Sequence, residues 1–434
     1  MSVYWAEYAW LPDGLAESVS IDVDGEMIGS VVVGAARSGK VLAGLTVPGF
    51  ANAHSHAFHR VLRGRTHHDR GTFWTWRERM YAVAARLDPD SYYRLARGVY
   101  AEMVLAGYTS VGEFHYLHHG PGGVPYDDPN AMSAALAAAA EDAGIRLTLL
   151  DTCYLSGGFG WQLDEHQRRF SDGDVGAWAE RAAAFTPKSD LARTGVAAHS
   201  VRAVPPGALR VVAQQADGRP VHVHLSEQPA ENRDCLAAHG RTPTALLAET
   251  GMLGPRTIAV HATHVTAADI RLLAGMRAGV CVCPTTERDL GDGIGPGRAL
   301  ADAGVRLCLG SDSHAVVDAF EEWRALELNE RLASRSRGRF DLAQLYSAAT
   351  DHASIGWPEV GRIEAGAAAD LVTVDLDSVR TAGTDPAAAL FAATAGDIRE
   401  VLVAGKAVVA EHRHVRLESP ETLLRDEIQA LFRA

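Results

Sequence analysis

The segment PGFANAHSHAFHR, residues 48–60, places two histidines one residue apart at the end of an apolar run. Residues i and i+2 of a strand point to the same face, so His54 and His56 can grip one object. Three more residues of chemical interest end apolar runs: His224 in VHVHLSE, His261 in AVHATH and Asp312 in LGSDSH. Three neutral imidazoles and one carboxylate, His54, His56, His224 and Asp312, suit zinc with water in the open position. Glu227 follows His224 by three residues, within reach of such a water. Bound zinc brings the pKa of its water to about 7, and a carboxylate there can carry a proton from the water to a leaving group. His261 is placed to hydrogen-bond the hydroxide or the developing tetrahedral centre. His264, in the same AVHATH segment, competes for that role.

Residues so far apart in the chain need a scaffold that gathers strand ends. Eight apolar runs qualify as strands: LTVPGFANAHSH, YTSVGEFHY, RLTLLDTCY, GVAAHS, PVHVHLSE, TIAVHATHV, GVCVCPTTE and VRLCLGSDSH. Helical segments separate them, such as MSAALAAAAEDAG at 132–144 and AADIRLLAGMRAG at 267–279. Alternating β and α with short apolar strands predicts a parallel sheet. Eight units predict an α/β fold of (β/α)8 TIM-barrel type, with a doubly wound open sheet as the alternative. The placement of His, Asp, Glu and Tyr at the C-terminal ends of the runs favours the barrel, because barrel enzymes build their sites on that face.

The two ends of the chain read differently. SVSIDVDGEMIGSVVV alternates apolar and polar residues around a turn at Asp24-Gly25, a hairpin signal. ADLVTVDLDSV and IREVLVAGKAVVAEHRHV, with a turn at Gly405-Lys406, are β-rich near the other end. Neither set is large enough for its own core, so the two are expected to pair into one small β-sandwich-like domain. The predicted organisation is 1–47 and 358–418 for that domain, 48–357 for the catalytic barrel, and a C-terminal helix over 419–434.

Composition narrows the function classes. A net charge of −13 with no basic stripe argues against nucleic acid or an anionic membrane as partner. No run approaches the roughly 18 apolar residues of a membrane span, and MSVYWAEYAWLPDGL lacks the basic start of a signal peptide. Five cysteines without a CxxC fit free thiols in a reducing compartment, so a cytoplasmic location is expected. GAARSGK at 34–40 matches a phosphate loop only superficially: Val41 stands where magnesium needs Ser or Thr, and no helix follows. The only lysines are Lys40, Lys188 and Lys406, and none falls in GVAAHS, the fourth strand. A carboxylated lysine there would bridge two metals, so one divalent ion is expected.

At these residues the chain resembles the amidohydrolase superfamily, and within it the formimidoylglutamate deiminases. HxH alone points to the superfamily. The narrower resemblance rests on NAHSHAFHR, FWTWRERMY, GYTSVGEFHYLHH, LSGGFG, QRRF, HSVRAV, VHVHLSEQ, VHATH, CPTTERDLGDGI and GSDSH. It implies a barrel with a β domain from both termini, one divalent metal (usually zinc) and a homodimer. The implied reaction hydrolyses the C=N of N-formimino-L-glutamate to N-formyl-L-glutamate and ammonia. It implies His54, His56, His224 and Asp312 as ligands and Glu227 as proton shuttle. Asp312 would also take a proton from the attacking water, and His261 would orient that water. Arg77, Tyr116, His199 and Arg202 match positions that hold the substrate.

The match to a small dianionic amidine also makes physical sense, since guanidinium forks bind carboxylates bidentately. The chain departs from the pattern at His59, where the family commonly has glutamine near the substrate, and at Asp289, where it commonly has asparagine. His67, His68, His118 and His119 read as loop residues without a role. Two other functions compete. One is another mononuclear aminohydrolase of the cytosine, guanine or adenosyl-homocysteine deaminase kind, and the arginine pair argues against it. The other is a metal-free scaffold, which would require lost ligands.

Overall fold

Eight consecutive parallel strands form the centre of the computed structural model, which describes residues 2–67 and 71–433. His68 lies outside the described residues. Before the barrel come β1 (Ser2–Leu11), β2 (Gly14–Asp24), β3 (Met27–Val32) and β4 (Lys40–Pro48). The barrel strands are β5 (Phe50–Ser55), β6 (Tyr108–His115), β7 (Arg146–Cys153), β8 (Ala192–Ser200), β9 (Val221–Leu225), β10 (Thr257–His261), β11 (Gly279–Val282) and β12 (Leu307–Leu309). They pair in chain order from β5 to β12, and a parallel bridge between Ser55 and Asp312 returns the last strand to the first. Helices occupy the outside, so most of these strands are buried along their whole length and read as apolar runs without alternation.

One run splits where a single strand is expected. LTVPGFANAHSH contributes its start to β4 and its end to β5, which belong to different sheets. Gly49 makes the break: a Cβ there would lie 2.2 Å from Oγ1 of Thr109, so only glycine lets the chain pass β6 at that point. Its carbonyl accepts from Nε2 of His352 at 2.8 Å, and its N–H donates to the Asp370 carbonyl at 3.0 Å.

After the barrel come β13 (Leu371–Val374), β14 (Ile398–Val403), β15 (Lys406–Ala410) and β16 (Arg413–His414). These join the first four strands in one mixed sheet of order β16-β15-β14-β13-β4-β1-β2-β3, in which only β1 and β4 run parallel. The sheet curls until its hairpin tips meet, since a Cβ on Gly405 would lie 2.3 Å from the Gly25 carbonyl. Tyr4, Val19, Ile21, Ile28, Ile363 and Leu402 are therefore buried in one apolar cluster, which gives the single sheet its sandwich-like interior. The tight turns are Gly25-Glu26, one residue after the position the sequence pattern indicates, and Ala404-Gly405, one residue before it. At the second, φ is 50° and 72°, the left-handed pair that such a turn requires.

Helix α1 (Phe73–Ala84) lies across the barrel mouth, and α2 (Pro89–Leu105) packs against the short turn Ala57–Leu62 that follows the HxH pair. Helix α2 starts cleanly, with Asp88 accepting the Ser91 N–H and Pro89 in the first turn. The C-terminal helix Pro420–Arg433 rests on α2 at Gly98, where a Cβ would come within 2.9 Å of Leu424. Among the described residues no helix is long and apolar enough to cross a membrane, and the five cysteines are buried and unpaired.

Candidate metal centre and active site

Closure of the barrel puts the HxH pair beside Asp312. The Asp312 N–H donates to the His54 carbonyl at 2.9 Å, and the His56 N–H donates to the Asp312 carbonyl at 3.2 Å. His224, next to last in β9, brings its Nε2 to 3.1 Å from Nε2 of His54. Oδ1 of Asp312 lies 3.4 Å from Nε2 of His54 and 3.3 Å from Nε2 of His56. Backbone carbonyls fix two of the rings: Nδ1 of His56 donates to Phe114 at 3.0 Å and Nδ1 of His224 donates to His199 at 2.9 Å. Each is left with a lone pair on Nε2, the orientation that metal-binding histidines take from their outer partners. Burial lowers the pKa of His54 to about 3 and of His56 to about 4, and lowers that of His224 well below its ordinary value. Three neutral nitrogens and a carboxylate converging in a dry pocket fit a divalent cation.

On the open side of this cluster stand Glu227 and His261. Nε2 of His261 lies 3.8 Å from Oε1 of Glu227 and 3.6 Å from Oδ2 of Asp312. Its Nδ1 is 3.3 Å from Oε1 of Glu287, which also accepts the Cys283 N–H at 2.9 Å. Burial would lower the pKa of His261, but the carboxylates of Glu227, Glu287 and Asp312 outweigh it and push it up to about 10. Burial raises the pKa of Glu227, although the charges of His261 and Arg202 oppose it. The backbone contributes as well. His261 and Asp312 have φ of 72° and 43°, a region costing non-glycine residues about 1–3 kcal/mol and concentrated at functional sites. Turning out of the strand there aims both side chains into the pocket. His261 lines the cavity, whereas His264 is half-buried and is not among the lining residues.

The cluster opens into a narrow cavity whose lining includes His59, Arg77, Tyr116, His199 and Arg202. Each of these candidate substrate residues therefore faces the same space as Glu227 and Asp312. Nε2 of His59 is 3.0 Å from the Tyr116 hydroxyl, and its ring packs edge-on against Trp76. Arg77, on α1, lies over the rings of Trp74 and Tyr81 at 4.6 Å and 5.6 Å. Among the described residues no carboxylate forms an ion pair with Arg77 or Arg202. Both guanidinium groups line the cavity; burial would lower the pKa of Arg202, but the nearby carboxylates of Glu231 and Glu227 outweigh it and raise that pKa. Phe73, Trp76 and Met80 of α1 complete the roof.

The other departures and loop histidines sort themselves by contact. Asp289 does not line the cavity; it pairs with His67 at 2.6 Å beside the start of α1. His118 and His119 do lie in the loop after β6, but they are buried. Nε2 of His119 is 2.9 Å from Asp172, and Arg181 bridges Asp172 and Asp151 beneath them, so this loop is anchored by charge. Two acids escape a reading based on spacing. Glu287 holds His261 as described. Glu113 accepts the Ala57 N–H and the Ser55 hydroxyl, both at 2.7 Å, and so clamps the HxH segment; burial raises its pKa to about 8. An acid inside the apolar strand YTSVGEFHY is the one local signal that pointed to Glu113.

Residues 45–408 match the model of the amidohydrolase family. The chain belongs to that family. Among its relatives, this amidohydrolase is 38% identical to formimidoylglutamate deiminase of Pseudomonas aeruginosa, over 95% of this chain and 96% of that enzyme. It is 30% identical to 8-oxoguanine deaminase of the same organism, over 83% of this chain and 81% of that one. The crystal structure of an amidohydrolase from Brucella melitensis superposes with a TM-score of 0.91 at 33% identity, covering 100% of both chains.

Proposed function

We propose that this amidohydrolase hydrolyses N-formimino-L-glutamate to N-formyl-L-glutamate and ammonia. The observation that carries the reading is one cavity in which the metal-ligand cluster faces two arginines. A dianionic amidine satisfies both halves, since its carboxylates match the two guanidinium groups, whereas a flat neutral base offers them no anion. The 38% identity to a formimidoylglutamate deiminase over nearly the full chain supports the same substrate.

His54, His56, His224 and Asp312 would hold a single divalent ion, and three imidazoles with one carboxylate favour zinc. Zinc in that position supplies the Lewis acidity that makes water nucleophilic near neutral pH. As water adds to the formimino carbon, the π pair of C=N passes to nitrogen. Glu227 takes the proton released by the water and delivers it to that nitrogen. His261, held as an imidazolium by its carboxylates, hydrogen-bonds the oxygen on the tetrahedral carbon. Asp312 accepts the remaining hydroxyl proton as C=O forms, that proton passes to the amino nitrogen as the C–N bond breaks, and the nitrogen leaves with the bonding pair as ammonia. Arg77 and Arg202 bind the two carboxylates, while Tyr116, His199 and His59 fix the chain between them.

The same reading extends to a cytoplasmic homodimer, as in the deiminases the chain resembles, and light scattering tests the oligomeric state. The decisive assay is ammonia release from N-formimino-L-glutamate beside cytosine, guanine and adenosyl-homocysteine. Turnover of the first far above the rest is expected. Higher activity on a base would leave a metal-dependent aminohydrolase of another specificity.

A further inference from the structure

Beside the metal cluster lies a second group of ligand-type side chains, and the steps above leave one of them, the Cys283 thiol, without a role. Cys283 directly follows β11. Val280 and Val282 pack outward among the helices, so Cys281 and Cys283 take the alternate positions and join Cys308 in the apolar cluster inside the barrel. Of these thiols Cys283 stands nearest the C-terminal strand ends, with its sulfur 3.9 Å from that of Cys281. One nitrogen of His261, the Cys283 sulfur and one oxygen of Asp312 lie within 4.8 Å of one another, and all three residues are buried. Among the described residues no other cysteine is grouped with such ligands.

The three side chains are already turned toward a common point. Oδ1 of Asp312 faces Nε2 of His54 and of His56, at 3.4 Å and 3.3 Å, whereas Oδ2 faces Nε2 of His261 at 3.6 Å. The carboxylate thus gives one oxygen to the metal cluster and keeps the other for a neighbour. On His261, Nδ1 is taken up by Glu287 at 3.3 Å, which leaves Nε2 for a ligand. Oε1 of Glu227 is 3.8 Å from that same Nε2 and can complete a four-coordinate shell. Such a seat owes nothing to a bridging lysine, which β8 lacks. Its sulfur selects the ion: thiolate suits zinc and cadmium, whereas magnesium, calcium and manganese prefer oxygen.

We propose that His261, Cys283 and Asp312 form a second, inhibitory seat for a thiophilic divalent cation, such as zinc in excess or cadmium. The ion bonds to Nε2, Sγ and Oδ2, and the protons of the thiol and of Nε2 leave to solvent, as metal binding to such groups requires. His261 is then no longer free to hydrogen-bond the tetrahedral oxygen, and Glu227 faces a cation in place of a proton. Turnover stops. The inhibition rests on the roles proposed above for His261 and Glu227; the binding rests on the ligand spacing alone.

Cadmium is the probe, because its thiolate charge-transfer band in the ultraviolet reports the sulfur directly. The enzyme as purified is analysed for metal, titrated with cadmium, freed of unbound ion and analysed again. Wild type is expected to keep its first metal at one per chain, gain one cadmium and show the band, with turnover of N-formimino-L-glutamate falling in step. Cys283→Ser keeps the shape and replaces sulfur with a hard oxygen. It should retain its first metal and its turnover, show no band, and need at least about 10-fold more cadmium for half-inhibition, since losing a direct ligand costs no less than losing an outer partner. Cys281→Ser should behave as wild type. Cadmium that only replaces the first metal, a wild type without the band, or a band that persists in Cys283→Ser overturns the seat. If Cys283→Ser does not fold, X-ray absorption at the cadmium edge of wild type decides: sulfur in the shell upholds the seat, and nitrogen and oxygen alone overturn it. If wild type holds no metal as purified, or releases no ammonia from N-formimino-L-glutamate, the proposed centre or reaction fails. The band and its loss in Cys283→Ser still decide the cation seat.

Discussion

Proton traffic at this site depends on acids that are held dry but not dismantled by it. Burial raises the pKa of Glu227, the carboxyl proposed above to accept and return the proton. Glu227→Gln keeps the shape and loses the exchange. Its turnover is expected to fall at least about 100-fold while elemental analysis still finds one metal per chain; lost metal would make Glu227 a ligand instead. Glu287 acts at one remove, through the 3.3 Å contact to Nδ1 of His261. Glu287→Ala should lower kcat about 10- to 100-fold, the usual cost of removing a partner that orients a histidine. Glu287→Gln still offers an acceptor oxygen and should recover most of that loss. Equal damage in the two variants would mean that charge, not orientation, is what Glu287 supplies.

Strand ends do the positioning, and they do so at very close quarters. Gly310, between β12 and Asp312, sits where a Cβ would be 2.8 Å from Cβ of His54 and 2.9 Å from its carbonyl oxygen. Both are parts of β5 that cannot move without taking a ligand along. Gly310→Ala is therefore expected to cost about 1–3 kcal/mol, the range for overpacking a filled core, and to lower metal occupancy together with stability. Urea unfolding and elemental analysis on the same sample check this. Full occupancy at wild-type stability would show that β5 can yield. The left-handed backbone at His261 and Asp312 follows the same logic, because a strand that simply continued would turn its side chains away from the pocket.

At the scale of the whole molecule, the barrel and the terminal sheet are joined by a buried ion pair. Nε and Nη2 of Arg146, at the start of β7, each donate at 3.0 Å to Asp370, whose Oδ1 also accepts the Ala404 N–H at 2.8 Å. Removing one partner strands the other charge in the interior, a cost of about 3–5 kcal/mol. Arg146→Ala should move the urea midpoint accordingly, yet kcat of the folded fraction should stay near wild type because neither residue lines the cavity. A selective loss of kcat with unchanged stability would mean that the terminal sheet takes part in the chemistry.

How far the chain can be read without its fold follows from what is local. His54, His56 and His224 stand out in the sequence because metal chemistry admits few residue types and the two-residue period of a strand shows where they point, and Glu227 and Asp312 stand out by following such runs closely. The eight β/α units are legible for the same reason, since their repeat is written within each stretch of the chain. Partnerships across the barrel are not. Glu287 reaches His261 over 26 residues, Glu113 reaches Ser55 over 58, and Gln167 reaches Tyr81 over 86. No local period encodes those pairs, because they exist only once the strand ends have converged. The same holds for the break at Gly49, which depends on Thr109 of β6, and for His118 and His119, which look like surface loop until Asp172 and Arg181 close beneath them. Residue type and spacing determined which chemistry the chain can carry. Barrel closure decided which groups stand behind it, because contacts between distant segments are set by packing and not by the order of residues.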